Sequence, residues 1–223
     1  VKPLKKINII EFLKKTKNQK NIIIVLDQIT DVQNVGAIIR SAQAFSASAI
    51  ICQEKNSPRE NTLLSRAAAG ALEFIPIIYV KNISQTLKLL KENNYWSIGL
   101  NGKSKYSLKD ISKNNNNFFD NNIAVVMGSE GKGIRNLVTK NCDMCCKINI
   151  KDTIDSLNVS VALAIALLAL GKVSEGAVVA GWVFVGARLT HACGYLAGIV
   201  PIRSLSHAVS LSAMIYMGWV LIV

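Results

Sequence analysis

The stretch Ile123 to Leu168 limits the fold more than any other. An uncharged apolar run, Ile123-Ala124-Val125-Val126-Met127, stops at Gly128-Ser129-Glu130-Gly131-Lys132-Gly133. The chain returns as Lys147-Ile148-Asn149-Ile150. It breaks again at Ser156-Leu157-Asn158-Val159-Ser160 and then resumes an apolar run. The pattern reads as strand, glycine loop, short helix, strand, polar loop, helix. Two polar loops at the ends of two strands are where an α/β protein holds a ligand.

Upstream the same alternation repeats. Asn21 to Leu26 reads as a buried strand ending in Asp27, followed by a polar loop to Asn34. Val35, Ile38, Ile39, Ala42 and Phe45 are spaced as one face of a helix, with Arg40 off that stripe. Asn34 is expected at or near the N-cap, holding free backbone N–H groups. Asn34 and Arg40 lie within two turns, so they can address one ligand from one end of the helix, or else are simply a capping Asn and a solvated Arg. Further strands are expected at Ser48–Cys52, Ile75–Val80 and Tyr95–Leu100. Helices are expected from Ser57 to Ala69, closed by Gly70, and from Ser84 to Asn93. Residues 101 to 122 read as loop. Strands alternating with helices predict a mostly parallel sheet with ligands at strand C-termini.

Charge and composition divide the chain. Its 223 residues carry a formal charge of +12, which suits a polyanionic partner or simply a basic surface. Five cysteines, an odd number, with no secretory signal, point to a reduced, cytoplasmic setting. Residues 1 to 20 are basic and read as a linker or an RNA-facing arm. From Gly176 to Val223 there is no Lys, Asp, Glu, Asn or Gln. A boundary is therefore expected near residue 175, with an apolar helical tail beyond it. Leu205 to Val223 approaches membrane-spanning length, with Tyr216 and Trp219 near its end.

Several chemistries are excluded or disfavoured. In Gly128 to Gly133 the Lys is followed by Gly, so the loop is not a Walker A motif. It also lacks the G-x-G-x-x-G order of a dinucleotide fingerprint. Cys142, Cys145 and Cys146 form one C-x-x-C with no second pair and no nearby His. They read as apolar thiols and not as a metal site. The first histidine is His191, so no Ser-His-Asp triad can operate in the front of the chain. Asn34, Arg40, Glu130, Ser156 and Asn158 remain as polar residues at strand-to-helix junctions. An Arg with amide and hydroxyl donors suits a phosphate-bearing substrate.

Three segments carry a family resemblance. They are Asn34-Val35-Gly36-Ala37-Ile38-Ile39-Arg40-Ser41-Ala42, Met127 to Gly133, and Ser156 to Ser160. In that order they resemble the three motifs of the SpoU (TrmH-type) RNA 2′-O-ribose methyltransferases of the SPOUT class. The resemblance covers residues 1 to 172, with the catalytic domain at 21–172. It is strongest to the subgroup acting on a guanosine of large-subunit rRNA, with tRNA-modifying relatives next. It implies a mostly parallel sheet with a C-terminal trefoil knot, a homodimer with the site at its interface, and S-adenosylmethionine as cofactor. It places Asn34, Arg40, Glu130, Ser156 and Asn158 in the active site. It places Met127, Gly128, Gly131, Ile148, Ile150 and Leu157 against the methyl donor, with no metal. Arg40 would bind the phosphate next to the reacting ribose. With a pKa above about 12, it is a poor literal base. Many members carry a small domain before the catalytic one, and this chain starts in what looks like the linker after it. The tail (176–223) resembles instead the last part of a MAPEG membrane protein, through Arg188, His191, Tyr195 and Arg203. Membrane association through that tail and a fusion are both expectations the composition break leaves open.

Overall fold

The computed structural model describes residues 7–17, 19–110, 122–150 and 157–170. The chain divides into two units, Val1–Leu170 and Gly171–Val223, and all described residues lie in the first. The tail, Ser156 and residues 111–121 lie outside the described residues.

Helix α1 (Ile9–Lys15) leads into β1 (Ile22–Asp27) and α2 (Val32–Ala44). Then come β2 (Ala49–Gln53), α3 (Thr62–Ala67), β3 (Ile77–Val80) and α4 (Ile83–Glu92). The chain continues through β4 (Tyr95–Leu100), β5 (Asn122–Gly128), α5 (Asn136–Asn141), β6 (Met144–Cys146) and α6 (Val159–Ala169). The six strands form one sheet in the order β3-β2-β1-β5-β4-β6. Every pairing is parallel.

Both faces of the sheet are covered, which explains why its strands are apolar without alternation. Ile22, Ile24, Leu26, Ile123, Val125 and Met127 point to the side of α2, α3 and α6. Ile23, Val25, Ala124 and Val126 point to the side of α1, α4 and α5. Helix α6 contributes Val159, Leu163, Ala166 and Leu167 to the first core, against Val35, Ile38 and Ile39 of α2.

The order of strands reverses between β1 and β5. Chain order runs outward through β2 and β3 on one side and through β4 and β6 on the other. Such a switch point leaves a crevice at the carboxyl ends of the strands. Register pairs Asp27 with Gly128 there, so the loops after β1 and β5 leave side by side.

Three local expectations are corrected. The cap of α2 is Asp31, whose carboxylate accepts from Gln33 N and Asn34 N; Asn34 sits inside the first turn. Helix α3 opens at Thr62, capped by Asn61, and not at Ser57. Residues 57–60 are held out of it by bonds to β3 and Glu54: Tyr79 Oη donates to Pro58 O at 2.9 Å and Arg59 Nη2 to Glu54 O at 3.0 Å. The last strand is Met144–Cys146 and not Lys147–Ile150. Among the described residues it is an edge strand paired only with β4, and β4 ends at Leu100. Beyond that point Lys147 bridges Ser107 instead, and residues 148–150 run on without a ladder. Among the described residues no helix is long and apolar enough to cross a membrane.

Candidate functional site

Three side chains from three distant stretches meet over the crevice. Asn34 Nδ2 donates to Glu130 Oε1 at 3.2 Å. Asn158 Nδ2 donates to Asn34 Oδ1 at 3.1 Å and reaches Glu130 Oε1 at 3.5 Å. Each is positioned by its element. Asn34 is fixed by the first turn of α2. Asn158 is the N-cap of α6, its Oδ1 accepting from Ser160 N at 3.0 Å and from Ser160 Oγ at 2.7 Å. Glu130 stands in the loop after β5. Among the described residues its Oε2 has no hydrogen-bond partner.

The loop beneath Glu130 is built around glycines. A Cβ on Gly128 would lie 2.0 Å from Gly133 C and 2.2 Å from Ile134 N, so the loop folds back directly onto the strand end. Lys132 N donates to Glu130 O at 2.9 Å across Gly131, whose φ is +78°. That is a γ-turn in the positive-φ region, where a side chain is strained.

An ion pair, buried on its Asp27 side and partly exposed on its Arg135 side, anchors the far end of the loop. Asp27, fully buried at the end of β1, accepts from Arg135 N at 2.9 Å and Arg135 Nε at 2.8 Å. Arg135 Nη2 also lies 2.6 Å from Asp27 Oδ1 and donates to Gln53 Oε1 at 2.9 Å. One side chain thereby ties the glycine loop to the ends of β1 and β2. Sequence reasoning missed it. The available signal was a carboxylate at the end of a buried strand, which requires a partner.

The other expected site residues are placed less tightly. Met127 and Ile148 belong to one apolar cluster with Leu100. Leu157 is half-buried, and Ile150 is 37 % exposed, an apolar side chain left open beyond the last strand. Arg40 is exposed and is not joined to the triangle. Six residues along a helix place it roughly 120° around and about 9 Å along from Asn34. The thiols behave as apolar groups. Burial, with Cys145 beside it, pushes Cys146 up to about 12; burial likewise raises Cys142 and Cys145.

A parallel α/β sheet with an amide–carboxylate triangle at its switch point defines the class. The sequence profile of the SpoU rRNA Methylase family matches residues 21–168, and the chain belongs to that family. A second profile, that of the MAPEG family, matches residues 152–223. An "Uncharacterized tRNA/rRNA methyltransferase" of Borreliella burgdorferi is 37 % identical over 165 residues, 74 % of this chain and 69 % of that protein. The 23S rRNA (guanosine-2'-O-)-methyltransferase RlmB of Escherichia coli K12 is 36 % identical over 145 residues, 65 % of this chain and 57 % of that protein. The chain thus spans little more than half the length of the latter relative. A putative TrmH-family RNA methyltransferase from Porphyromonas gingivalis superposes with a TM-score of 0.57 at 27 % identity, covering 68 % of this chain and 59 % of that one. An AdoMet-bound rRNA methyltransferase from Sinorhizobium meliloti superposes with a TM-score of 0.63 at 22 % identity, covering 74 % and 60 %. At that identity the second likeness concerns the fold.

Proposed function

We propose that the chain transfers a methyl group from S-adenosylmethionine to a ribose 2′-hydroxyl of RNA, with a guanosine of large-subunit rRNA as first candidate and tRNA as the alternative. The observation that carries this reading is the bonded triangle of Asn34, Glu130 and Asn158 at the switch point. The names of the relatives support the substrate class.

The residues present fit the donor. Gly131 and Gly133 have open space in the direction a Cβ would take, so bare backbone there suits close approach to a nucleoside. Met127, Gly128, Gly131, Ile148, Ile150 and Leu157 would hold it, chiefly through backbone and apolar contact. The bound donor supplies an electrophilic methyl on a sulfonium sulfur. Glu130, an anion with no cation bonded to it among the described residues, complements that charge. Asn34 and Asn158 hold the carboxylate in place. Ser156 joins them in the proposal by its place in the third motif. Arg40 would grip the phosphate next to the reacting ribose, and an oxygen of that phosphate would take the hydroxyl proton.

Arg40, about 120° around α2 from Asn34, serves in this proposal the triangle of a second copy. A homodimer and the trefoil knot belong to this same proposal. Residues 176–223 are proposed to form a separate apolar segment, with membrane association as its test. Residues 159–168, which both family profiles match, put Val159, Leu163, Ala166 and Leu167 into the core that holds α2 and belong in this proposal to the methylase.

Titration with S-adenosylmethionine, followed by methyl transfer to unmodified rRNA and tRNA transcripts, tests the reading. Binding and a single 2′-O-methylated site are expected. Absence of donor binding leaves only an RNA-binding module. Arg40→Lys keeps charge but loses the bidentate fork. It is expected to lower kcat at least tenfold, and a wild-type rate removes Arg40 from the mechanism.

A further inference from the structure

The carboxyl edge of the sheet has a second half, over β1, β2 and β3, that the triangle does not occupy. Two guanidinium groups are preset there. Arg135 uses Nε and Nη2 on Asp27 and Gln53, and its Nη1 is taken by no described residue, while its side chain is 39 % exposed. Arg59 lies 4.8 Å from the centroid of the Tyr79 ring and donates Nη2 to Glu54 O. Tyr79 is in turn tied to Pro58 O. The two arginines are thus anchored on consecutive residues, Gln53 and Glu54, at the end of β2.

Their electrostatics differ. The charge of Arg135 is neutralised by Asp27, so Nη1 offers directed donors with little net charge. Arg59 is bonded to neutral groups, a carbonyl and an aromatic face, and stays exposed to solvent with the carboxylate of Glu60 next to it in the chain. Exposed Lys55 stands in the same loop, as does exposed Glu60, so the feature is orientation and not summed charge. A guanidinium held before the ligand arrives loses little freedom on binding a phosphate.

We propose that this half of the edge is the track of the RNA strand leading to the triangle, with Arg135 and Arg59 contacting successive phosphates. The inference rests on the reading of the chain as an RNA methyltransferase. The positions follow from the parallel register, which brings the ends of β1, β2 and β5 to one edge.

The test uses the full chain, an unmodified large-subunit rRNA transcript, and S-adenosylmethionine titration as a check on the donor site. Arg59→Gln is expected to weaken RNA binding about tenfold and to lower the salt slope by about one, with donor affinity unchanged. Arg135→Lys retains a cation for Asp27 and loses Nη1. It is expected to weaken RNA binding with the salt slope unchanged. Lys88→Gln, on the exposed face of α4, removes the same charge elsewhere and is expected to move neither. RNA binding by Arg59→Gln at wild-type affinity and slope overturns the track, as does an equal loss in Lys88→Gln. Failure of the unaltered chain to bind the transcript overturns the functional reading itself, a result distinct from both.

Discussion

At the scale of single residues, the glycine loop separates two kinds of constraint. Gly128 is constrained by space, because a Cβ meets the backbone of Gly133 at 2.0 Å, and backbone cannot swing aside as a side chain can. Gly131 is constrained by conformation alone, since nothing lies within 4 Å of its Cβ direction but its φ is +78°. Gly131→Ala is therefore expected to cost about 1 kcal/mol, a shift of a few degrees in Tm, with donor binding reduced but present. Gly128→Ala is expected to displace the loop and abolish donor binding. Thermal melts and calorimetric titration of both variants check this, and equal behaviour of the two would remove the steric argument. The triangle was legible in the sequence because each member is a polar residue at a junction between an apolar strand and a helix. Arg135 was not legible, because nothing near it in the chain marks Asp27, 108 residues earlier, as its partner. The cap of α2 was misassigned for a related reason. Asp31 and Asn34 are both good caps by type, and only the backbone geometry decides between them.

At the scale of elements, strand and helix identities followed from hydrophobic spacing, whereas the last strand did not. Lys147–Ile150 has the stronger β propensity, but pairing decides an edge strand, and β4 offers partners only to Cys146. The same edge carries a fastening of its own. Asp143, at the turn into β6, accepts from Lys91 Nζ at 2.6 Å, Ser97 N at 3.0 Å and Ser97 Oγ at 2.7 Å. Burial acts to raise its carboxyl, but Lys91 and Ser97 outweigh it and hold the group below its ordinary value. A lowered folded-state value contributes stability above the unfolded value, about 3.9, and loses it as pH falls through the folded one. Asp143→Asn is expected to lower stability by about 2 kcal/mol near pH 7, and the difference should shrink as pH falls below about 3.9 and through the lowered folded-state value. Melting temperatures of both proteins from pH 2.5 to 7 measure the gap. A gap independent of pH would mean that the side chain acts by packing and not by charge.

At the scale of the whole molecule, the question is where the methylase ends. Two family profiles overlap on residues 152–168, and sequence composition alone puts the break near residue 175. Packing resolves the overlap for α6. Val159, Leu163, Ala166, Leu167 and Leu170 are all buried against the sheet and α2, in the same core as Ile24, Ile39 and Met127. Burying the three largest of these, Leu163, Leu167 and Leu170, contributes on the order of 6 kcal/mol. That is comparable to the whole net stability of a domain, about 5–15 kcal/mol. The helix also supplies Asn158, so removing it takes away one corner of the triangle and opens the core together. A chain cut after Leu157 is therefore expected to lose cooperative unfolding and donor binding. One cut after Gly171 is expected to keep both, with a melting temperature within a few degrees of the full chain. Circular dichroism melts and S-adenosylmethionine titration distinguish the outcomes. If the chain ending at Gly171 fails to fold while the full chain folds, the segment beyond it is part of the methylase, and the assignment of residues 176–223 to a separate unit is wrong.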